Sequence, residues 1–296
     1  MSRLRPGCAA IVLAMLPLCA TGAERHVESN VVYGMYSGLA LLMDVHQPAK
    51  PNGYGVIYIS GSAWYAPLPY GAPELKSSRP VEMYVRPLVE AGYTVFSLNH
   101  RGAPRFHFPA PMEDAQRAVR FIRHHAVKYG LGPDRIGAAG GSSGGHLVSL
   151  LGVLDGAGDP QDPDPVNRES AKVQCVVARA PATDLFGARG FQLSFMGVSS
   201  NPDTTSAEYK LYRLASPVYS VTRESAPFLL LHGDADATVP IASSERMEQT
   251  LKTAGVDVKL LRIPGGTHEG DFGNPPDAPD YLGEMVRWFD HHLVRR

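Results

Sequence analysis

The residues with chemistry to offer are a serine, an aspartate and a histidine, each in a glycine-containing turn after an apolar segment. Residues 135–147 read Arg-Ile-Gly-Ala-Ala-Gly-Gly-Ser-Ser-Gly-Gly-His-Leu. A short apolar run enters a G-x-S-x-G turn and an apolar helical pattern follows, which is the strand–turn–helix context of a nucleophile elbow. A serine on so tight a turn needs neighbours without bulk, because the backbone is strained and other chain segments pass close. The helix starting behind it directs amide N–H groups and its positive end at any negative charge that develops there. Two registers satisfy the pattern, one centred on Ser142 and one on Ser143.

A serine hydroxyl needs a base before it can attack, and the base needs an acid to orient it. Downstream, the apolar run 228–231 ends in His232 and leads into Gly233-Asp234-Ala235-Asp236-Ala237-Thr238-Val239-Pro240. That loop offers two aspartates. The run 258–263 then leads into Pro264-Gly265-Gly266-Thr267-His268-Glu269-Gly270. Of the eleven histidines, only His268 lies in a glycine-rich loop after the acid-bearing strand. His146 and His232 flank motifs and are expected to hold local structure. The pairs His124-His125 and His291-His292 fall on helical patterns, where neighbours face different directions, so no metal site is expected. A glycine-rich strand–helix turn could also cradle phosphate, but neither G-x-G-x-x-G nor a following Gly-Lys-Ser/Thr is present.

These three loops need a scaffold that brings them together. Strand patterns fall at 41–46, 55–60, 93–98, 136–140, 173–179, 227–232 and 258–263. Several are continuously apolar, as parallel strands covered on both faces are. Between them run helical patterns. The clearest follows Pro111, with Met112, Ala115, Val119, Ile122, Ala126 and Tyr129 on one face and Gly130 as its cap. Arg120 and Arg123 of this helix read as a solvated face. Others span 242–254 and 280–292. Strand–helix alternation predicts an α/β fold, one doubly wound and mostly parallel sheet with helices on both faces. Residues 155–171 read as a surface loop. Residues 185–219 interrupt the alternation and read either as a lid or as a packed helical insertion.

Composition agrees with an ordinary globular chain. Apolar residues make up 44% and charged residues 19%, with a formal net charge of −1, so no basic nucleic-acid footprint is expected. Arg3 and Arg5, the apolar run 8–20 and the small residues Thr21-Gly22-Ala23 form the pattern of a secretory signal peptide, too short for a membrane span. Cleavage after Ala23 is expected, leaving a catalytic domain over 24–296 in a secreted or periplasmic setting. A lipoprotein reading at Cys19 fits less well, because Leu18 stands where a small residue is needed. Cleavage removes Cys8 and Cys19. Cys175 remains, and in its apolar surroundings it reads as a small core hydrophobe.

Taken together these motifs resemble the esterase/lipase branch of the α/β-hydrolases, especially bacterial carbohydrate acetyl and feruloyl esterase-like proteins. The resemblance rests on the elbow, on H-G-x-x-D-x-x-V-P at 232–240, on the Gly-Gly-Thr-His loop, and on 108–115 and 129–136 ahead of the elbow. It extends over 31–292. It implies a cofactor-free enzyme of carboxylic ester hydrolysis, acting on small-molecule or carbohydrate-linked esters. It also implies Ser142 as nucleophile, two residues before the paired glycines of S-x-G-G-H-L, with the Ser143 amide facing the oxyanion. Asp236 is favoured as the acid and Asp234 as the residue that orients the loop.

One departure bears on activity. Relatives carry His-Gly-Gly-Gly-Trp after an early strand, whereas this chain has Ser60-Gly61-Ser62-Ala63-Trp64. Backbone N–H groups do the work, so Ser62 and Ala63 are expected oxyanion donors, with their Cβ atoms restricting conformations glycine adopts freely. Trp64 and Tyr65 are expected to bind substrate. A peptidase of the same fold and a non-catalytic binding module of that fold are the alternatives. The first would call for a large propeller ahead of the catalytic region, and the complete Ser, Asp and His set speaks against the second. Oligomeric state is not readable from the sequence.

Overall fold

Strands form where branched and aromatic apolar residues run without interruption, because both faces of such a segment must be covered. In the computed structural model, which describes residues 25–66 and 71–294, they build one eight-stranded sheet. The signal peptide read at 1–23 lies outside the described residues. The strands are β1 (His26–Tyr36), β2 (Leu39–Gln47), β3 (Gly55–Ile59), β4 (Thr94–Leu98), β5 (Ile136–Gly141), β6 (Val176–Arg179), β7 (Phe228–Gly233) and β8 (Val258–Ile263). Every residue of β3 to β7 is buried. Their order is β1-β2-β4-β3-β5-β6-β7-β8, with β1–β2 and β2–β4 antiparallel and the remaining pairs parallel. The doubly wound expectation holds.

The helices are α1 (Arg79–Glu90), α2 (Ala110–His124), α3 (Ser143–Val153), α4 (Gly190–Met196), α5 (Ala207–Ala215), α6 (Ala242–Thr253) and α7 (Tyr281–Phe289). Val85 and Leu88 of α1 join Met285 and Phe289 of α7 in the core on one face of the sheet. Val119 of α2, Leu147 and Leu150 of α3 and Met247 of α6 fill the other. Strand order reverses between β3 and β5, and a crevice outside the carboxyl ends of strands at such a point is where doubly wound sheets bind ligands. Ser142 follows directly on β5.

Four differences from the sequence expectation have physical causes. β1 was not expected, because most of its residues face solvent and two irregularities break its alternation. It is held by a two-residue turn at Ser37 and Gly38, both at positive φ (45° and 84°), as a tight hairpin requires. β6 starts at Val176 and not at 173, because the Gln174 side chain, not the backbone, accepts from the Ile136 amide. α2 ends at His124, after which turn bonds, Leu131 N–H to Ala126 O among them, carry the chain to Gly130. Arg120 and Arg123 do not form a solvated face. Arg120 donates to the carbonyls of Glu169 and Ala157, and buried Arg123 to those of Pro133, Ser170 and Lys172, so they pin the 155–171 loop to α2.

Candidate active site

The turn between β5 and α3 explains its own glycines. Ser142 has φ 54° and ψ −121°, a conformation other residues avoid and which persists only where the surroundings impose it. A Cβ on Gly144 would lie 2.0 Å from the Ile59 carbonyl oxygen, and one on Gly140 would lie 2.6 Å from that of Gly144. Neither position admits a side chain. The Ser142 amide donates to Arg179 O at 2.8 Å, and its carbonyl accepts from the His146 amide at 2.9 Å, so the turn is tied to β6 and α3. The two serines thereby separate. Ser142 is the strained residue and partly exposed, whereas Ser143 is the first residue of α3, 1% exposed, with its Oγ accepting from the Ser62 amide at 2.9 Å.

His268 and Asp236 arrive from the loops after β8 and β7. His268 Nε2 lies 2.9 Å from Ser142 Oγ, and its Nδ1 lies 2.7 Å from Asp236 Oδ2. A carboxylate only accepts, so Nδ1 carries the proton and Nε2 presents a lone pair to the serine hydroxyl. Burial pushes the Asp236 carboxyl up, but the bonds from His268 and from the Val239 and Thr238 amides outweigh it and hold the group below the usual carboxylate range. The two aspartates have different partners. Asp234 Oδ1 accepts from the Gly265 amide at 2.7 Å, fixing the histidine loop to the acid loop.

Two further side chains hold this line in place. His232, buried at the end of β7, donates from Nε2 to Val239 O at 2.8 Å and meets Ser244 Oγ at 2.7 Å through Nδ1. It thus shapes the loop carrying Asp236, the local role expected of it. Arg179 was not anticipated. Buried at the end of β6, it reaches across with Nη1 to the carbonyls of His268 and Glu269 at 2.9 and 3.3 Å. A cation ending an apolar strand was the only signal available.

The loop after β3 presses against the elbow. A Cβ on Gly61 would meet Gly141 O at 2.7 Å and Ser142 Cβ at 2.9 Å. Ala63 and Trp64 both take left-handed φ, 52° and 59°. Among the described residues the amides of Ala63 and Ser143 enter no hydrogen bond, whereas the Ser62 amide, expected as an oxyanion donor, is engaged by Ser143 Oγ. Trp64 also departs from expectation. It is 4% exposed, stacks on Phe195 at 4.7 Å and donates its indole N–H to His146 Nδ1 at 3.0 Å, which leaves little surface for a substrate. Tyr65 stays half-buried beside Phe191, which is 62% exposed.

The sequence profile of the BD-FAE family matches residues 43–251. The chain belongs to this family. Among curated relatives, the BD-FAE chain is 30% identical over 210 residues to esterase LipQ of Mycobacterium tuberculosis, covering 69% of itself and 49% of LipQ. It spans between 43% and 63% of the three mycobacterial esterases LipQ, LipC and LipM. Among solved structures, a truncated carbohydrate esterase from gut microbiota superposes with a TM-score of 0.76 at 26% identity, covering 93% of this chain and 99% of that one. An acetyl ester-xyloside bifunctional hydrolase from Caldicellulosiruptor lactoaceticus superposes with a TM-score of 0.71 at 28% identity, over 85% and 87%. The fold is that of the esterases of the α/β-hydrolase superfamily.

Elsewhere in this BD-FAE chain, one of the two histidine pairs has a carboxylate beside it. Asp257, His291 and His292 bring ligand-type atoms within 4.8 Å of one another. The two imidazoles sit 4.7 Å apart in the π-helical turn Asp290–Val294. His292, itself buried, lies 3.4 Å from the exposed Asp257 carboxylate, far along the chain from the elbow. A cavity of about 770 Å³ beside β1 and α2 is lined by charged groups such as Arg101, Glu113, Arg117 and Asp159, and shares no residue with the Ser142 site. Cys175 is buried in the core, as expected. Among the described residues no helix is long and apolar enough to cross a membrane.

Proposed function

We propose that this protein hydrolyses carboxylic esters in two acyl-transfer steps, with Ser142 as nucleophile. The observation that carries the reading is the continuous line from Asp236 through His268 to Ser142, at 2.7 and 2.9 Å. His268 Nε2 takes the hydroxyl proton as Ser142 Oγ bonds to the ester carbonyl carbon. Asp236 keeps the imidazole in the useful tautomer and stabilises the imidazolium. The carbonyl oxygen, now an anion, is received by the amides of Ala63 and Ser143 at the positive end of α3. His268 returns the proton to the leaving alcohol. Water then repeats the sequence on the acyl-enzyme and releases the acid.

The substrates are small or carbohydrate-linked acyl esters. Support comes from the names of the relatives, which include esterases and a carbohydrate esterase. Tyr65, next in the chain to Trp64, meets Phe191 edge to face, and this aromatic pair is the surface proposed to receive an acyl or sugar group. Export, read from residues 3–23, belongs to the same proposal, and the intact mass of secreted protein starting at Glu24 would support it. A fluorophosphonate should label the protein covalently, and Ser142→Ala should lose both label and turnover. Nitrophenyl acetate, butyrate, longer acyl and feruloyl esters, assayed beside peptide amides, identify the acyl group and separate esterase from peptidase. Absence of labelling and of ester turnover would sink the proposal.

A further inference from the structure

His146 lies on α3 one turn beyond the elbow, fully buried, and both its ring nitrogens are committed. An indole N–H only donates, so Nδ1, 3.0 Å from Trp64 Nε1, is the unprotonated nitrogen. A backbone carbonyl only accepts, so Nε2, 2.7 Å from Ala215 O, carries the proton. The imidazole therefore bridges two separate parts of the chain. On one side is Trp64, which ends the loop against Ser142. On the other is Ala215, the last residue of α5, within the 185–219 insertion.

The same insertion grips Trp64 a second time. Phe195 of α4, 0% exposed, stacks on the indole at 4.7 Å and 17°, and His146 stands edge-on to both rings. The base of the insertion is closed by Ser216 Oγ, which accepts from the Leu185 amide and donates to Tyr212 O. Met196, Tyr212 and Ala215 are buried as well. Lifting α4 would strip the indole of its stacking partner. Lifting α5 would leave the His146 Nε2–H buried without an acceptor, which is costly. Ala63 and Trp64 sit at left-handed φ, where a residue with a Cβ stays only if its surroundings hold it. The surroundings here are His146 and Phe195 at the indole and, at the backbone, the Ala103 amide, which donates to Trp64 O at 2.9 Å.

We propose that His146 is a positioning residue that locks the oxyanion loop to the 185–219 insertion, which serves as a fixed buttress of that loop and not as a lid. This rests on the reading of Ser142 as nucleophile and of the Ala63 amide as an oxyanion donor. The indole N–H sets the Trp64 ring, the ring sets the Trp64 backbone, and that backbone aims the preceding amide. A misplacement of under an ångström at such a donor lowers turnover without altering how the ground-state ester binds.

Trp64→Phe removes the N–H and keeps a ring against Phe195, so it carries the test even if His146→Leu does not fold. Each variant should lower kcat on nitrophenyl acetate about tenfold or more, with KM within about twofold. Affinity for a trifluoromethyl ketone, which binds by forming an oxyanion, should fall in parallel. His146→Gln retains an acceptor and a donor and should recover part of the loss. The double variant should be no worse than the worse single one, because both act through one bond. Wild-type kcat in Trp64→Phe, a change in KM alone, or multiplicative losses would overturn the assignment. Hydrogen exchange addresses the buttress. Amides of 190–196 and 207–215 should exchange as slowly as those of α3, and rapid exchange quenched by the trifluoromethyl ketone would mean a lid instead. Wild-type protein that resists a fluorophosphonate refutes the catalytic reading. Labelled protein whose Trp64→Phe variant keeps full kcat refutes this inference alone.

Discussion

Asp236 accepts from the Thr238 and Val239 amides through Oδ1 and from His268 through Oδ2, so each of its oxygens has a fixed task. Asp236→Asn keeps the shape but places an amide where only an acceptor belongs. Its NH₂ then favours the imidazole tautomer with Nδ1 unprotonated, which turns an N–H towards Ser142. Turnover on nitrophenyl acetate should fall by roughly 10³–10⁴ with the fold retained by circular dichroism. Ser143 sits beside the nucleophile and does something different. Its Oγ holds the Ser62 amide, and Ser143→Ala would leave that N–H without a partner. A loss of about 1–3 kcal/mol of loop anchoring is expected, read as roughly a tenfold or greater drop in kcat with fluorophosphonate labelling intact. Full loss of labelling in Ser143→Ala would move the nucleophile to that residue.

Among the elements, β6 does more than extend the sheet. Its last residue, Arg179, bonds the carbonyls of His268 and Glu269 and passes its carbonyl to the Ser142 amide, so one strand end fixes both nucleophile and base. Arg179→Met retains much of the volume and drops the guanidinium. The histidine loop should loosen and kcat should fall about 10- to 100-fold, with less effect on phosphonylation of Ser142 by a reactive fluorophosphonate. The junction of β3 with α3 admits no slack at all. Gly144→Ala would drive a methyl to 2.0 Å from Ile59 O, and the main chain of either element must shift. A loss of about 3 kcal/mol or more is expected in urea unfolding, and wild-type stability would contradict the packing described.

The whole molecule carries several buried neutral histidines, and this sets its response to acid. Burial lowers His46, His100 and His232 from the usual range, and it pushes His146 down to about 4. An unfolded chain protonates these imidazoles below about pH 6.5. The native one does not, so between that pH and the lowered native values the unfolded state binds more protons and stability drops as the pH is lowered. His146 alone contributes about 3 kcal/mol of such loss by pH 4. Asp236 adds the same sign at lower pH, since its stabilisation is present above the unfolded carboxylate range and lost as pH drops through its depressed native value. The urea midpoint should therefore be lower at pH 5 than at pH 7.5, and His146→Gln should flatten that slope. A slope unchanged in the variant would mean that His146 is not held neutral.

Chemistry and scaffold were largely legible one residue at a time, because each leaves a local mark. The glycines around Ser142 announce a turn where a side chain cannot fit, and the runs at β3 to β7 announce strands covered on both faces. The order of Ser142, Asp236 and His268 is the one the α/β-hydrolase resemblance implies, each in a loop after a strand. Spacing could not tell Ser142 from Ser143, and the backbone at φ 54°, the approach of His268 Nε2 to Ser142 Oγ and the engagement of Ser143 Oγ by Ser62 separate them geometrically. Contacts between distant segments lay equally out of reach. Arg120 and Arg123 look solvated until the 155–171 loop closes over them, and Trp64 looks like a ligand platform until Phe195 and His146 enclose it. Patterns along the chain record the burial of each segment, whereas partners from distant segments are set by how the elements pack. The sequence by itself thus determined the sheet from β2 to β8 and the three loops whose serine, aspartate and histidine the fold brings together. Tertiary structure alone decided which neighbours hold them, and that the oxyanion loop leans on the insertion at its side.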